Sequence, residues 1–139
     1  MNYVFRLKKG QDLKKEIINY VEEQDIDAGI IKCCVGCVYE AKFRLSDGKT
    51  ITHKKDNYEI VSLIGTISKN GCHIHISLGY KNGNVIGGHL VEGCLVNTTA
   101  EICIEELNEF KFTREFDENT GYKELVVEKK QNNKNKLFI

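Results

Sequence analysis

The chain has 139 residues, 20 Lys+Arg balanced by 20 Asp+Glu, 41% hydrophobic and 29% charged residues, and no proline. That length and composition fit a single soluble α+β domain with its own core and exclude wholesale disorder. Zero net charge argues against duplex DNA as a partner, because such binding draws most of its affinity from neutralised phosphates. No apolar run reaches the ~18 to 20 residues of a bilayer-crossing helix, so no membrane role is expected.

The opening segment MNYVFRLKKGQD is charged within its first six residues and lacks a signal-peptide core. A cytoplasmic location is therefore expected, with Cys33, Cys34, Cys37, Cys72, Cys94 and Cys103 as thiols rather than a disulfide framework. Residues 3–7 alternate apolar and polar and predict a first strand. The period then changes. Leu13, Ile17, Tyr20 and Val21 make one apolar stripe, predicting an amphipathic helix over 10–24 with Asp12 in its first turn, where a carboxylate suits the dipole.

After Asp27 the texture becomes β. Residues 28–38 are continuously apolar, 40–45 alternate, and Ser46-Asp47-Gly48 is a turn. A strand over 59–67 closes at Lys69-Asn70-Gly71. A strand over 72–79 then runs into Lys81-Asn82-Gly83-Asn84, the strongest hairpin signal in the chain. Residues 85–96 read as the return strand, and 99–107 as a strand or a short helix. Residues 110–116 and 125–127 predict late strands around Glu118-Asn119-Thr120-Gly121. Between Ile60 and Ala100 the charged residues are Lys69, Lys81 and Glu92, which suits a core sheet or a surface covered by another subunit. The domain is expected to span 1–128, with a polar, basic tail over 129–139.

The segment HIHISLGYKNGNVIGGHLVEGCLV, from His73 to Val96, resembles the signature of the PPC family, the plant and prokaryote conserved domain. FRLKKGQDL, EIVSLIGTIS and TAEICIEEL agree with it in order, over nearly the whole chain. The resemblance implies a mainly antiparallel sheet flanked by one or two helices, assembled as a homotrimer. In plants this domain follows AT-hooks in nuclear DNA-binding proteins and mediates self-association and contact with other regulators. An AT-hook needs an Arg-Gly-Arg-Pro core, which a chain without proline does not supply. The segment starting at Asn57 also departs from the Gly-Arg-Phe opening of the plant partner-contact segment.

The chemistry centres on histidines. His73 and His75 point the same way, about 6.6 Å apart along one strand. With a two-residue Asn82-Gly83 turn, His89 would face Ile76 and end on the wrong side. A one-residue shift, from a longer loop or from a bulge at Gly87-Gly88, would set it opposite His75. Three neutral imidazoles at ~2.1 Å suit Zn²⁺ or another transition-metal ion with a fourth position open, and the resemblance favours that reading over three separate surface histidines. His53, in a lysine-rich loop, reads as ordinary surface.

Weaker signals surround this one. Cys34-Val35-Gly36-Cys37 lies in an apolar β run and reads as buried small hydrophobes, as do Cys72 and Cys94. Glu92 and Glu101 are candidates for acid–base work beside a metal, or plain surface and interface residues. Asn97-Thr98-Thr99 matches a glycosylation pattern with no use in a cytoplasmic protein, and no phosphate-loop motif occurs. Three functions stay open: a regulatory or interaction module with a metal or small ligand at His73, His75 and His89, a small metal-dependent enzyme, and a DNA-associated trimer.

Overall fold

A computed structural model describes residues 1–131. Its elements run β1 (Asn2–Lys8), α1 (Leu13–Glu23), β2 (Gly29–Arg44), β3 (Ile51–Lys54), β4 (Tyr58–Ser68), β5 (Gly71–Gly79), β6 (Val85–Leu90), β7 (Leu95–Glu106), β8 (Phe110–Asp117) and β9 (Tyr122–Lys129). The fold is mostly antiparallel sheet with one short helix among the described residues. Seven strands form one sheet in the order β1-β7-β2-β4-β5-β6, with β3 added to β2.

The 16-residue β2 organises this sheet. Its first part lies between β7 and β4, while its end pairs with β3 and with β6 through Phe43↔Leu90 and Arg44↔His89. Because β4, β5 and β6 are also successive neighbours, the β6 contact curls the sheet back onto β2. Three register shifts along β2–β7 let so long a strand bend without losing its partner. The two predicted segments 28–38 and 40–45 are thus one strand.

Leu13, Ile17 and Val21 of the α1 stripe are wholly buried and belong to one core cluster with Phe43, Leu63, Ile74, Leu78, Leu90, Ile102 and Ile104. Asp12 is the helix N-cap rather than a first-turn residue. Its side chain accepts from Lys15 N at 3.1 Å and from Gly93 N at 2.7 Å, tying the helix start to the β6–β7 turn.

Other departures have local causes. The expected return strand over 85–96 breaks after Leu90, because residues 91–94 form a turn in which Gly93 takes a φ of 113°. Residues 99–107 are extended through Glu106 as part of β7. The segment around His53 is strand β3 rather than loop, held on the edge of β2 by the pairs Lys42↔His53 and Phe43↔Thr52.

The hairpin β8–β9 forms its own two-stranded sheet. Such a hairpin is marginal alone, and it is fastened to the body by Phe112. That ring is buried, its N–H donates to Asp27 O at 2.9 Å, and its carbonyl accepts from Asn70 Nδ2 at 3.0 Å. Lys130, expected in the basic tail, instead reaches Asp27 at 2.7 Å and donates its backbone N–H to Glu109 O. The rest of that tail, from residue 132, lies outside the described residues.

Candidate metal centre

The β5–β6 hairpin brings His73, His75 and His89 to one side of the sheet. His75 stands directly opposite His89, and the register runs without a shift from that pair to Gly79↔Val85. The displacement therefore comes from the longer loop and not from a bulge at Gly87-Gly88. Tyr80 N donates to Asn84 O and Gly83 N to Tyr80 O, both at 2.8 Å, so the chain reverses around Asn82. A loop of odd length changes which residues face each other by one, and that single step moves His89 to the side of His75. The two glycines serve another purpose. A Cβ on Gly87 would strike the Ile76 carbonyl and one on Gly88 the Arg44 carbonyl, so only glycine lets β6 lie this close to both β5 and β2.

One ring nitrogen from each histidine lies within 4.8 Å of the other two, and His73 Nε2 is 3.1 Å from His75 Nε2. Nitrogens bound tetrahedrally to one zinc ion are about 3.4 Å apart, given bonds of ~2.1 Å. The spacing therefore brackets that of a three-nitrogen ligand set. Two of the rings, His73 and His89, also have lowered proton affinity. Burial pushes the His89 pKa down to about 4, helped by the Arg44 cation across the strand pair and by His73. Burial, then His75, lowers that of His73. Neutral imidazole is the metal-binding form. The buried Nδ1 of His89 has no hydrogen-bond partner among the described residues. In chemistry and spacing, the donor set fits a transition-metal ion.

Two hollows flank the trio. The first, about 380 Å³, is walled by Ile30, Ile31, Ile64, Thr66, His73 and His75 and is mainly apolar. The second, about 410 Å³, lies between the sheet and the β8–β9 hairpin and is walled by His73 and His89 together with Arg44, Arg114, Tyr122 and Lys123. The sequence reading gave no weight to Arg44 or Arg114, and chain spacing carried no signal for them.

The remaining candidates lie apart from the trio, which alone forms a three-residue cluster of potential ligands among the described residues. Exposed His53 contacts Glu40 at 3.1 Å on β3. Glu92 is exposed in the β6–β7 turn, and Glu101 is exposed on β7 opposite Arg6 and Val35. All six cysteines are free. Burial pushes the Cys34 thiol up to about 12 and the Cys94 thiol to about 11, which makes both inert packing groups. Cys37 is half-buried and donates to Asn97 O. No helix among the described residues is long and apolar enough to cross a membrane.

A curled antiparallel sheet with one packed helix and a histidine trio on the β5–β6 hairpin defines a small β-rich domain with one concentrated polar site. The sequence profile of the Plants and Prokaryotes Conserved (PCC) domain matches residues 1–108, so the chain belongs to that family. A curated relative, the bifunctional protein GlmU of Synechococcus sp. (strain JA-3-3Ab), is 39% identical over 127 residues, 91% of this chain and 20% of the relative. The chain thus spans about a fifth of the length of the curated relatives it matches. A hypothetical protein from Salmonella enterica has the same fold with a TM-score of 0.90 and 30% identity, covering 94% of this chain and 95% of that one. A metal-containing protein from Archaeoglobus fulgidus is 32% identical with a TM-score of 0.75, covering 91% of this chain and 93% of that one.

Proposed function

We propose that this PCC domain is a homotrimeric binding and regulatory module that holds a transition-metal ion, zinc by preference, on His73, His75 and His89. One observation carries the reading: three imidazoles with ring nitrogens within 4.8 Å of one another, two of them with lowered proton affinity. The metal content of the Archaeoglobus relative supports it. The domain is taken to include the β8–β9 hairpin, which walls one side of the site. A homotrimer accounts for apolar side chains on the outer face of the sheet, where Val4 is 72% exposed, Val35 61% and Ile64 60%.

The test is metal uptake by protein purified without a polyhistidine tag. One zinc ion per chain is expected, lost in His89→Ala and retained in His53→Ala. A chain that stays empty with zinc supplied refutes the reading. Sedimentation of the same protein at monomer mass refutes the trimer.

A second reading, a small hydrolase- or lyase-like metal enzyme, draws on the two hollows beside the trio. A metal held by three nitrogens keeps a fourth position for water or substrate, and a bound water there can ionise near neutral pH. Turnover that disappears in His89→Ala would favour this over the regulatory module.

A further inference from the structure

The hollow between the sheet and the β8–β9 hairpin is cationic by construction. Arg44, Arg114 and Lys123 line it against a single carboxylate, Glu124. Arg44 stands directly across from His89 on the β2–β6 pair, and the guanidinium lies 5.7 Å from the Tyr122 ring centre. The Nε of Arg44 and the Nδ1 of His89 are buried with no hydrogen-bond partner among the described residues.

Arg114 closes the other side. It donates from Nη2 to Thr66 Oγ1 at 3.1 Å and lines the hollow, with further N–H groups in its guanidinium fork. The stem of Arg114 runs over Gly71, where the backbone has a φ of +144° and an added Cβ would stand 3.1 Å from Arg114 Cγ. Any other residue at 71 would be strained and would crowd the arginine.

We infer that this hollow is a binding site for a small oxyanion, the carboxylate or phosphate end of a ligand, gripped by the guanidinium groups of Arg44 and Arg114 with Lys123 beside them. A guanidinium fork matches two oxygens of either group, and about 410 Å³ lies within the range of small-ligand pockets. The inference rests on the metal reading only for what lies beyond the anionic end, since the far part of such a ligand would reach the trio.

The test is calorimetric titration of inorganic phosphate, and separately of malonate, into metal-free protein, with zinc uptake measured in parallel on each variant. One of the two anions saturates a single site per chain, and the one that binds tells phosphate from carboxylate. Arg114→Gln weakens that binding at least about tenfold, as loss of a charge-assisted hydrogen bond requires. Arg114→Lys, which keeps the charge and not the fork, falls between. Both variants take up zinc normally. Lack of saturation with either anion overturns the inference, and so does binding undiminished in Arg114→Gln. Anion binding by a chain that takes no zinc upholds the pocket and sinks the metal reading alone, whereas zinc uptake without anion binding does the reverse.

Discussion

Gly65→Ala tests how closely the backbone sets the histidine trio. Gly65 lies on β4 opposite Ile74, the residue between His73 and His75. An added Cβ would sit 2.6 Å from the His73 carbonyl oxygen and 2.9 Å from Ile74 Cγ1, where real Cβ atoms keep at least about 3.0 Å. The obstacle at His73 is backbone, so β4 and β5 must part by about 0.4 Å at that point. Metal bonds tolerate about 0.2 Å. Overpacking of this kind costs ~1–3 kcal/mol, or roughly 4–12 °C in Tm for a domain of this size. Zinc affinity, read by competition with a chromogenic chelator, should fall at least about tenfold, as it does when ligand-orienting partners are removed. Gly83→Ala is the control. Gly83 has a φ of +86° and nothing within 4 Å of its added Cβ, so alanine there strains the hairpin loop by ~1 kcal/mol without touching the trio. Equal zinc affinity in wild type and Gly65→Ala would show that the β4–β5 spacing does not position the ligands. An equal loss in both variants would show that affinity merely follows stability.

Three further outcomes follow from the same structure. Acid should destabilise the metal-free fold as pH falls from 6.5 toward about 4, because between those values the unfolded chain binds a proton at His89 that the folded chain refuses; a plot of Tm against pH flattens there in His89→Gln, and an unchanged slope contradicts the assignment. Thiol labelling under native conditions should modify the exposed Cys33 and spare Cys34 and Cys94, whose thiols are pushed up to about 12 and about 11; mass spectrometry showing label on Cys94 before Cys33 would refute this. Phe112→Ala should cost ~3–5 kcal/mol and free β8–β9, raising amide exchange at residues 110–129 ahead of the main sheet; uniform exchange would show that the hairpin is held by other contacts.

Period and parity explain which features the sequence made legible. Apolar spacing marked α1, and alternation marked β5, so the shared side of His73 and His75 could be read directly. The side of His89 depended on the parity of the loop around Asn82, and Asn-Gly favours a two-residue turn that gives the opposite answer. The hydrogen bonds of Tyr80 with Asn84 and Gly83 decide the matter, and no local pattern encodes them. The break after Leu90 was hidden because residues on both sides of it are apolar for different reasons. Leu90 packs inside the curled sheet, while Cys94 is buried beside the helix start, where its carbonyl accepts from Leu13 N. Strand β3 escaped notice because its four residues contribute no buried side chain.

The arginines were invisible for a stronger reason. Arg114 meets Thr66 across 48 residues of chain, an approach that follows from the docking of the hairpin at Phe112 and Lys130. The site is therefore composite. All three imidazoles and Arg44 lie within residues 1–108, the part matched to the PCC family, whereas Arg114, Tyr122, Lys123 and Glu124 come from the hairpin beyond it. Changes in that hairpin alter the charge and shape of one wall while every metal-ligand candidate stays on the main sheet. The hairpin is fastened to the sheet at Phe112 and Lys130 and not through the histidines, so substitutions in β8 and β9 can change that wall with the histidine trio left in place.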